Sequence, residues 1–219
     1  MKSTDPLFPY QNLFITARPG MGATTLAVNI INKHLDEGKK CLVFEGTHDY
    51  SPKYIERVKI IRENGDMNDL LRPSIEKYGN LSVVGNPNIY TELVLRIAEE
   101  TNPDLIVLED PHAIKMIDRE LIDLAHYFKK AGKAFVFVTH IKRQINPLTH
   151  AEKSTPSASY HRKVIRYFDA VAIVYREEYY NEGVIDKENQ EIRLYERSSK
   201  KYKAVAVNFD FHKQCITLK

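Results

Sequence analysis

The residues with the clearest chemical potential lie near the start of the chain, in Ala17-Arg18-Pro19-Gly20-Met21-Gly22-Ala23-Thr24-Thr25. The segment follows a short apolar run and opens a stretch with helical spacing. In that context, a glycine-containing loop presents backbone N–H groups and a helix N-terminus to an anion, which is the chemistry of a phosphate-binding loop. Gly20 and Gly22 let the backbone come close to a ligand. Thr24 stands where a Mg²⁺-binding hydroxyl belongs. Position 23, where such loops carry a lysine, is alanine. That lysine neutralises charge on the β- and γ-phosphates during transfer. Loss of a donor aimed at transition-state charge costs ~3–4 kcal/mol, or ~10²–10³ in rate. Residues 18–25 are therefore expected to bind a nucleotide, ATP or a relative with Mg²⁺, through backbone groups. A tight glycine turn without a ligand is the competing reading.

The elements that must hold this loop follow from periodicity. Leu13–Thr16, Cys41–Phe44, Leu81–Val84, Leu105–Leu108 and Ala134–Val138 are continuous apolar runs. Helical patterns separate them at Thr24–Leu35, Pro52–Arg62, Thr91–Glu100 and Ile117–Lys130. Ser51 and Thr91 are expected as N-caps, and Gly38 and Gly132 as stops. Continuous apolar strands alternating with helices predict a mostly parallel sheet covered on both faces. From Ile145 to Tyr160 the chain is polar and reads as a long loop. Three strands follow, at Ala170–Tyr175, Glu191–Tyr195 and Ala204–Phe209, the last two joined as a hairpin through Ser198–Lys201. Cys215–Leu218 is a short candidate for a further strand.

The 219 residues suit one domain with a sizeable core, and 43% hydrophobic with 28% charged residues argues against disorder. No apolar run approaches the ~20 residues of a membrane span, and no secretory signal pattern opens the chain. A cytoplasmic location and no membrane partner are expected. Cys41 and Cys215 form no metal-ligand spacing and read as reduced thiols. The net charge of +3 is unevenly spread. Residues 142–166 hold six basic side chains (Lys142, Arg143, Lys153, Arg162, Lys163, Arg166) against Glu152 alone. Residues 191–203 hold five (Arg193, Arg197, Lys200, Lys201, Lys203) against Glu191 and Glu196. Such concentrations attract nucleic acid; a solvated lysine-rich surface gives the same charge.

Three ordered stretches resemble the motor domain of DnaB-type hexameric replicative DNA helicases. They are the loop at Ala17–Thr24, the acidic strand end Pro103–Asp110, and Phe168–Asn181 with its Tyr-Arg-acidic-Glu-Tyr-Tyr pattern. The resemblance covers roughly Leu13 to Leu218. It implies a RecA-like P-loop NTPase fold with a C-terminal β-hairpin extension. It further implies a single such domain over residues 1–219, without the family's N-terminal domain and linker helix.

Carried over position by position, the family's Mg²⁺-linked aspartate falls on Glu109 and its Mg²⁺ hydroxyl on Thr24. Its catalytic glutamate falls on Thr47, and its γ-phosphate-sensing glutamine on His140. Its Lys-x-Arg finger falls on Glu196 and Ser198, with Arg197 available after a one-residue shift. Lys142, Arg143, Lys153, Arg162 and Lys163 fall at DNA-contacting loops. Arg197, Lys200 and Lys201 fall at the subunit edge. The expected partners are DNA in single-stranded form and a helicase ring or further copies of the chain.

Loss of lysine, base, sensor and finger together favours a helicase-like domain that hydrolyses ATP weakly or not at all. An active DNA motor with an unorthodox site, in which Arg18 supplies the missing cation, is a second reading. A nucleotide-free partner of a helicase ring is a third.

Overall fold

The computed structural model describes residues 10–18, 20–45, 57–58, 62, 77–85, 89–109, 116–140, 162–176, 190–210, 213 and 215–218. Strand β1 (Asn12–Ala17) leads through the glycine loop into helix α1 (Ala23–Asp36), and β2 (Cys41–Glu45) follows. A two-residue strand β3 (Lys77–Tyr78) turns into β4 (Leu81–Gly85). Then come α2 (Thr91–Thr101), β5 (Leu105–Glu109), α3 (Asp118–Lys130) and β6 (Ala134–His140). A single helical turn, α4 (Arg162–Ile165), precedes β7 (Ala170–Arg176), β8 (Gln190–Glu196), β9 (Lys201–Asp210) and β10 (Cys215–Leu218).

These strands form one ten-stranded sheet in the order β10-β9-β8-β7-β1-β6-β5-β2-β4-β3. The six central strands, β7 to β4, are parallel. Antiparallel strands finish both edges: β3 on β4, and β8 to β10 beyond β7. The apolar character of β1, β2, β5 and β6 follows from this position, since each is covered on both faces.

Side-chain alternation splits the core in two. Leu13, Ile15, Val43, Val107, Val136 and Val138 face α1. Phe14, Phe44, Leu108, Phe135 and Phe137 face α2 and α3. On the second face Phe14 packs at 5.4 Å from both Phe137 and Phe168, and Phe135 stacks on Phe168 at 5.8 Å. Strand β10 closes over α1, where the Ile216 N–H donates to Asn29 Oδ1 at 3.2 Å.

Several local expectations shift. Tyr90, not Thr91, is the N-cap of α2, and it makes no side-chain cap bond. The Thr91 hydroxyl is buried inside the first turn, with no hydrogen-bond partner among the described residues. Helix α3 starts one residue later than its pattern, because the Glu120 carboxylate accepts the Ile117 N–H at 2.7 Å and makes Ile117 the cap. The hairpin turn is Arg197–Lys200, not Ser198–Lys201. Lys200 adopts a left-handed φ of 54°, which lets Lys201 pair with Glu196. The strand β3 and the turn α4 are too short to leave a periodic signal. Of the helix expected at Pro52–Arg62, Arg57, Val58 and Arg62 are helical and the rest lies outside the described residues, as do residues 145–160 of the long loop.

Candidate functional site

The carboxyl ends of the parallel strands gather the polar residues that the strand interiors exclude. Ala17, Glu45, Glu109 and His140 end β1, β2, β5 and β6. Their position in the alternation puts all four on the α1 side of the sheet. The glycine loop lies at the same edge. It is closed by the Met21 N–H donating to the Arg18 carbonyl at 3.1 Å, and α1 is entered through the Leu26 N–H to Gly22 O bond at 2.9 Å. Gly20 (φ 80°) and Gly22 (φ 103°) both sit in left-handed backbone. A Cβ at either would strain the loop, so glycine here is a geometric requirement.

The decisive contact is between Thr24 and Glu109. The Thr24 hydroxyl, at the second residue of α1, donates to Glu109 Oε1. It crosses the intervening strand β6, which lies between β1 and β5. Glu109 is 7% exposed and Glu45 is 5% exposed. The two carboxylates are register partners on adjacent strands. The site therefore holds a hydroxyl and two buried carboxylates beneath a loop of backbone amides. These are hard oxygen donors of the kind Mg²⁺ accepts, and Thr24 with Glu109 fits one face of such an ion.

Positive charge is arranged differently from the sequence expectation. Ala23 is 2% exposed and belongs to the α1-side core. Arg18 is also only 2% exposed, so its guanidinium is not presented to solvent at the loop. The cation that does touch the loop is Arg176, at the end of β7, whose Nη1 donates to the Gly20 carbonyl at 3.4 Å. The sequence held a signal for it, since Arg176 is the arginine of the Tyr-Arg-acidic pattern; its nearness to the loop comes from β7 pairing with β1.

Met21 and Thr25 are buried, so contact with a ligand from either would come from its backbone. His140 pairs in register with Ala17, and its Nδ1 has no hydrogen-bond partner among the described residues. Pro19, Thr47, Lys142, Arg143 and Lys153 lie outside the described residues. Arg162 opens α4, with Lys163 exposed beside it. Arg197 and Lys200 are exposed in the β8–β9 turn, and Lys201 starts β9.

With this geometry, solved structures of similar shape can be compared. The ATPase domain of a DnaB-family helicase superposes with a TM-score of 0.74 at 13% identity, covering 95% of this chain and 85% of that one. A DnaB-like replicative helicase, solved for its interactions with primase, gives 0.72 at 14% identity; 94% of this chain matches 57% of that one. A KaiC-like protein from Pyrococcus horikoshii gives 0.60 at 14% identity, covering 97% and 91%. The chain has a RecA-like fold. No family model and no curated protein matches the sequence. At such low identities the likeness is one of architecture: a mostly parallel sheet between helices, extended by the antiparallel strands β8 to β10. No helix among the described residues is long and apolar enough to cross a membrane.

Proposed function

We propose that this chain is a helicase-like P-loop domain that binds a nucleotide with Mg²⁺, acts on DNA in replication, and hydrolyses ATP weakly or not at all. The observation that carries this reading is the Thr24–Glu109 bond beneath a glycine loop whose next position is a buried alanine. Backbone amides and the N-terminus of α1 suffice to cup a polyphosphate. Thr24 and Glu109 would hold the ion, which when bound screens phosphate charge. At residue 23 no ammonium is available to follow that charge during transfer. The shapes of a DnaB-like replicative helicase and of the DnaB-family ATPase domain support DNA and a ring, or further copies of the chain, as partners.

The test is nucleotide binding and hydrolysis measured side by side on the full chain, with and without single-stranded DNA. Saturable micromolar binding of a fluorescent ATP analogue is expected, with turnover ~10²–10³ below that of a lysine-bearing loop. Robust DNA-stimulated hydrolysis would refute the weak-turnover half. One observation favours the second reading, an active motor: Arg176 brings a guanidinium to the loop. On that reading Arg176→Ala abolishes turnover; on the reading proposed here there is little to abolish.

A further inference from the structure

The two basic runs, separated by more than twenty residues in the sequence, meet in the fold. Arg166 follows α4, while Arg197 and Lys200 lie in the β8–β9 turn. Together they border a cavity of about 340 Å³. Its inner wall is apolar, formed by Phe168 and Val171, and the ring of Tyr195, 38% exposed, stands at its side.

This cavity is separate from the glycine loop. It lies at the start of β7, where Ala170 pairs with Glu196, whereas the loop meets Arg176 at the far end of that strand. Six residue steps of a strand span about 20 Å. Phe168 and Val171 also belong to the core opposite α1. One nucleotide cannot occupy both places.

The charge around the cavity is uncompensated. The nearest acids in sequence are Asp169 and Glu196, and both are engaged elsewhere. Asp169 accepts from Lys129 Nζ and from the Asn12 N–H at 3.0 Å. Glu196 accepts from the Tyr10 hydroxyl at 2.5 Å and from Ser199 at 3.0 Å. Arg166, Arg197 and Lys200 have no side-chain ion pair among the described residues. Lys200 moreover holds a left-handed φ that a lysine rarely adopts, and such strain is retained where surrounding structure or function requires it. Three converging cations, an apolar wall and an exposed tyrosine match a flat base flanked by phosphates.

We propose that this cavity seats one nucleotide of single-stranded DNA, its base against Tyr195 and the apolar wall and its flanking phosphates on Arg166, Arg197 and Lys200. The proposal deepens the DNA-binding part of the reading above and rests on it; it does not depend on the phosphate loop.

The experiment titrates a labelled oligothymidine with the full chain by fluorescence anisotropy, without nucleotide or Mg²⁺, so that a failed phosphate loop leaves the result untouched. Wild type is compared with Arg166→Ala/Arg197→Ala and with Arg119→Ala/Lys130→Ala, an exposed pair on α3 that loses the same charge. Each phosphate contact on a single strand contributes about 0.7 to the salt slope, so losing two predicts roughly 25-fold weaker binding at 0.1 M salt than at a 1 M reference. The α3 pair should bind like wild type. Tyr195→Ala should weaken binding at least about fivefold, with Tyr195→Phe restoring it. Lys200→Gly, which suits the left-handed turn, should weaken binding without lowering the melting temperature. Equal loss in both double variants overturns the cavity while leaving DNA binding intact. Absence of oligonucleotide binding by wild type, or equal competition by polyglutamate, overturns the proposal.

Discussion

Replacing Glu109 by glutamine tests the site most directly, because stability and ligand binding should move in opposite directions. Glu45 and Glu109 are register partners on neighbouring strands, both more than nine-tenths buried. Strands lie about 4.8 Å apart, and with an effective dielectric near 20 two carboxylates at that spacing repel by up to about 3 kcal/mol. Glu109→Gln removes this repulsion. It also turns the Thr24 hydrogen bond from a charged to a neutral one, forfeiting about 1 kcal/mol. The unliganded variant should therefore be more stable than wild type by about 1–2 kcal/mol in urea unfolding with EDTA present. Adding millimolar Mg²⁺ should stabilise wild type by mass action and leave the variant unchanged. A Glu109→Gln protein less stable than wild type without metal would refute the claim that two charges compete there. An equal Mg²⁺ response in both proteins would refute the assignment of Glu109 as a ligand.

Further outcomes concern the loop, the core and pH. Ala23→Lys should fail to restore turnover in a phosphate-release assay, because Thr47 and His140 still stand where base and sensor belong; recovery to ordinary ATPase rates would show that the lysine was the single deficit. Phe168→Ala, which empties the centre of the aromatic cluster, should cost about 3–5 kcal/mol by denaturant unfolding. Burial lowers the pKa of His34 from its ordinary 6.5, the leading cause, despite the Ile30 carbonyl beside Nδ1. Below pH 6.5 the unfolded chain then binds the proton more readily than the folded one. Stability should be retained above that pH and fall as pH drops toward the folded value, a slope that His34→Gln should flatten. Burial also pushes the Cys41 thiol up to about 12, so a thiol reagent at pH 8 should modify it only on unfolding.

The sequence by itself determined the backbone plan and the chemistry of the first loop. The apolar runs at Leu13, Cys41, Leu81, Leu105 and Ala134 are strands because nothing but a sheet covered on both faces accepts such runs. Gly20, Gly22 and Thr24 are local in sequence, so their spacing could be read directly. The order of the strands was not legible. Insertion of β6 between β1 and β5 decides that Thr24 reaches Glu109 rather than another acid, and that Glu45 stands beside Glu109. Pairing of β7 with β1 brings Arg176 to Gly20 over 156 residues. The burial of Arg18 and Ala23, and the meeting of Arg166 with Arg197, likewise depend on which faces turn inward once the sheet is assembled. Periodicity reports how one segment meets a surface; only packing decides which surface that is and which distant charge lies beside it.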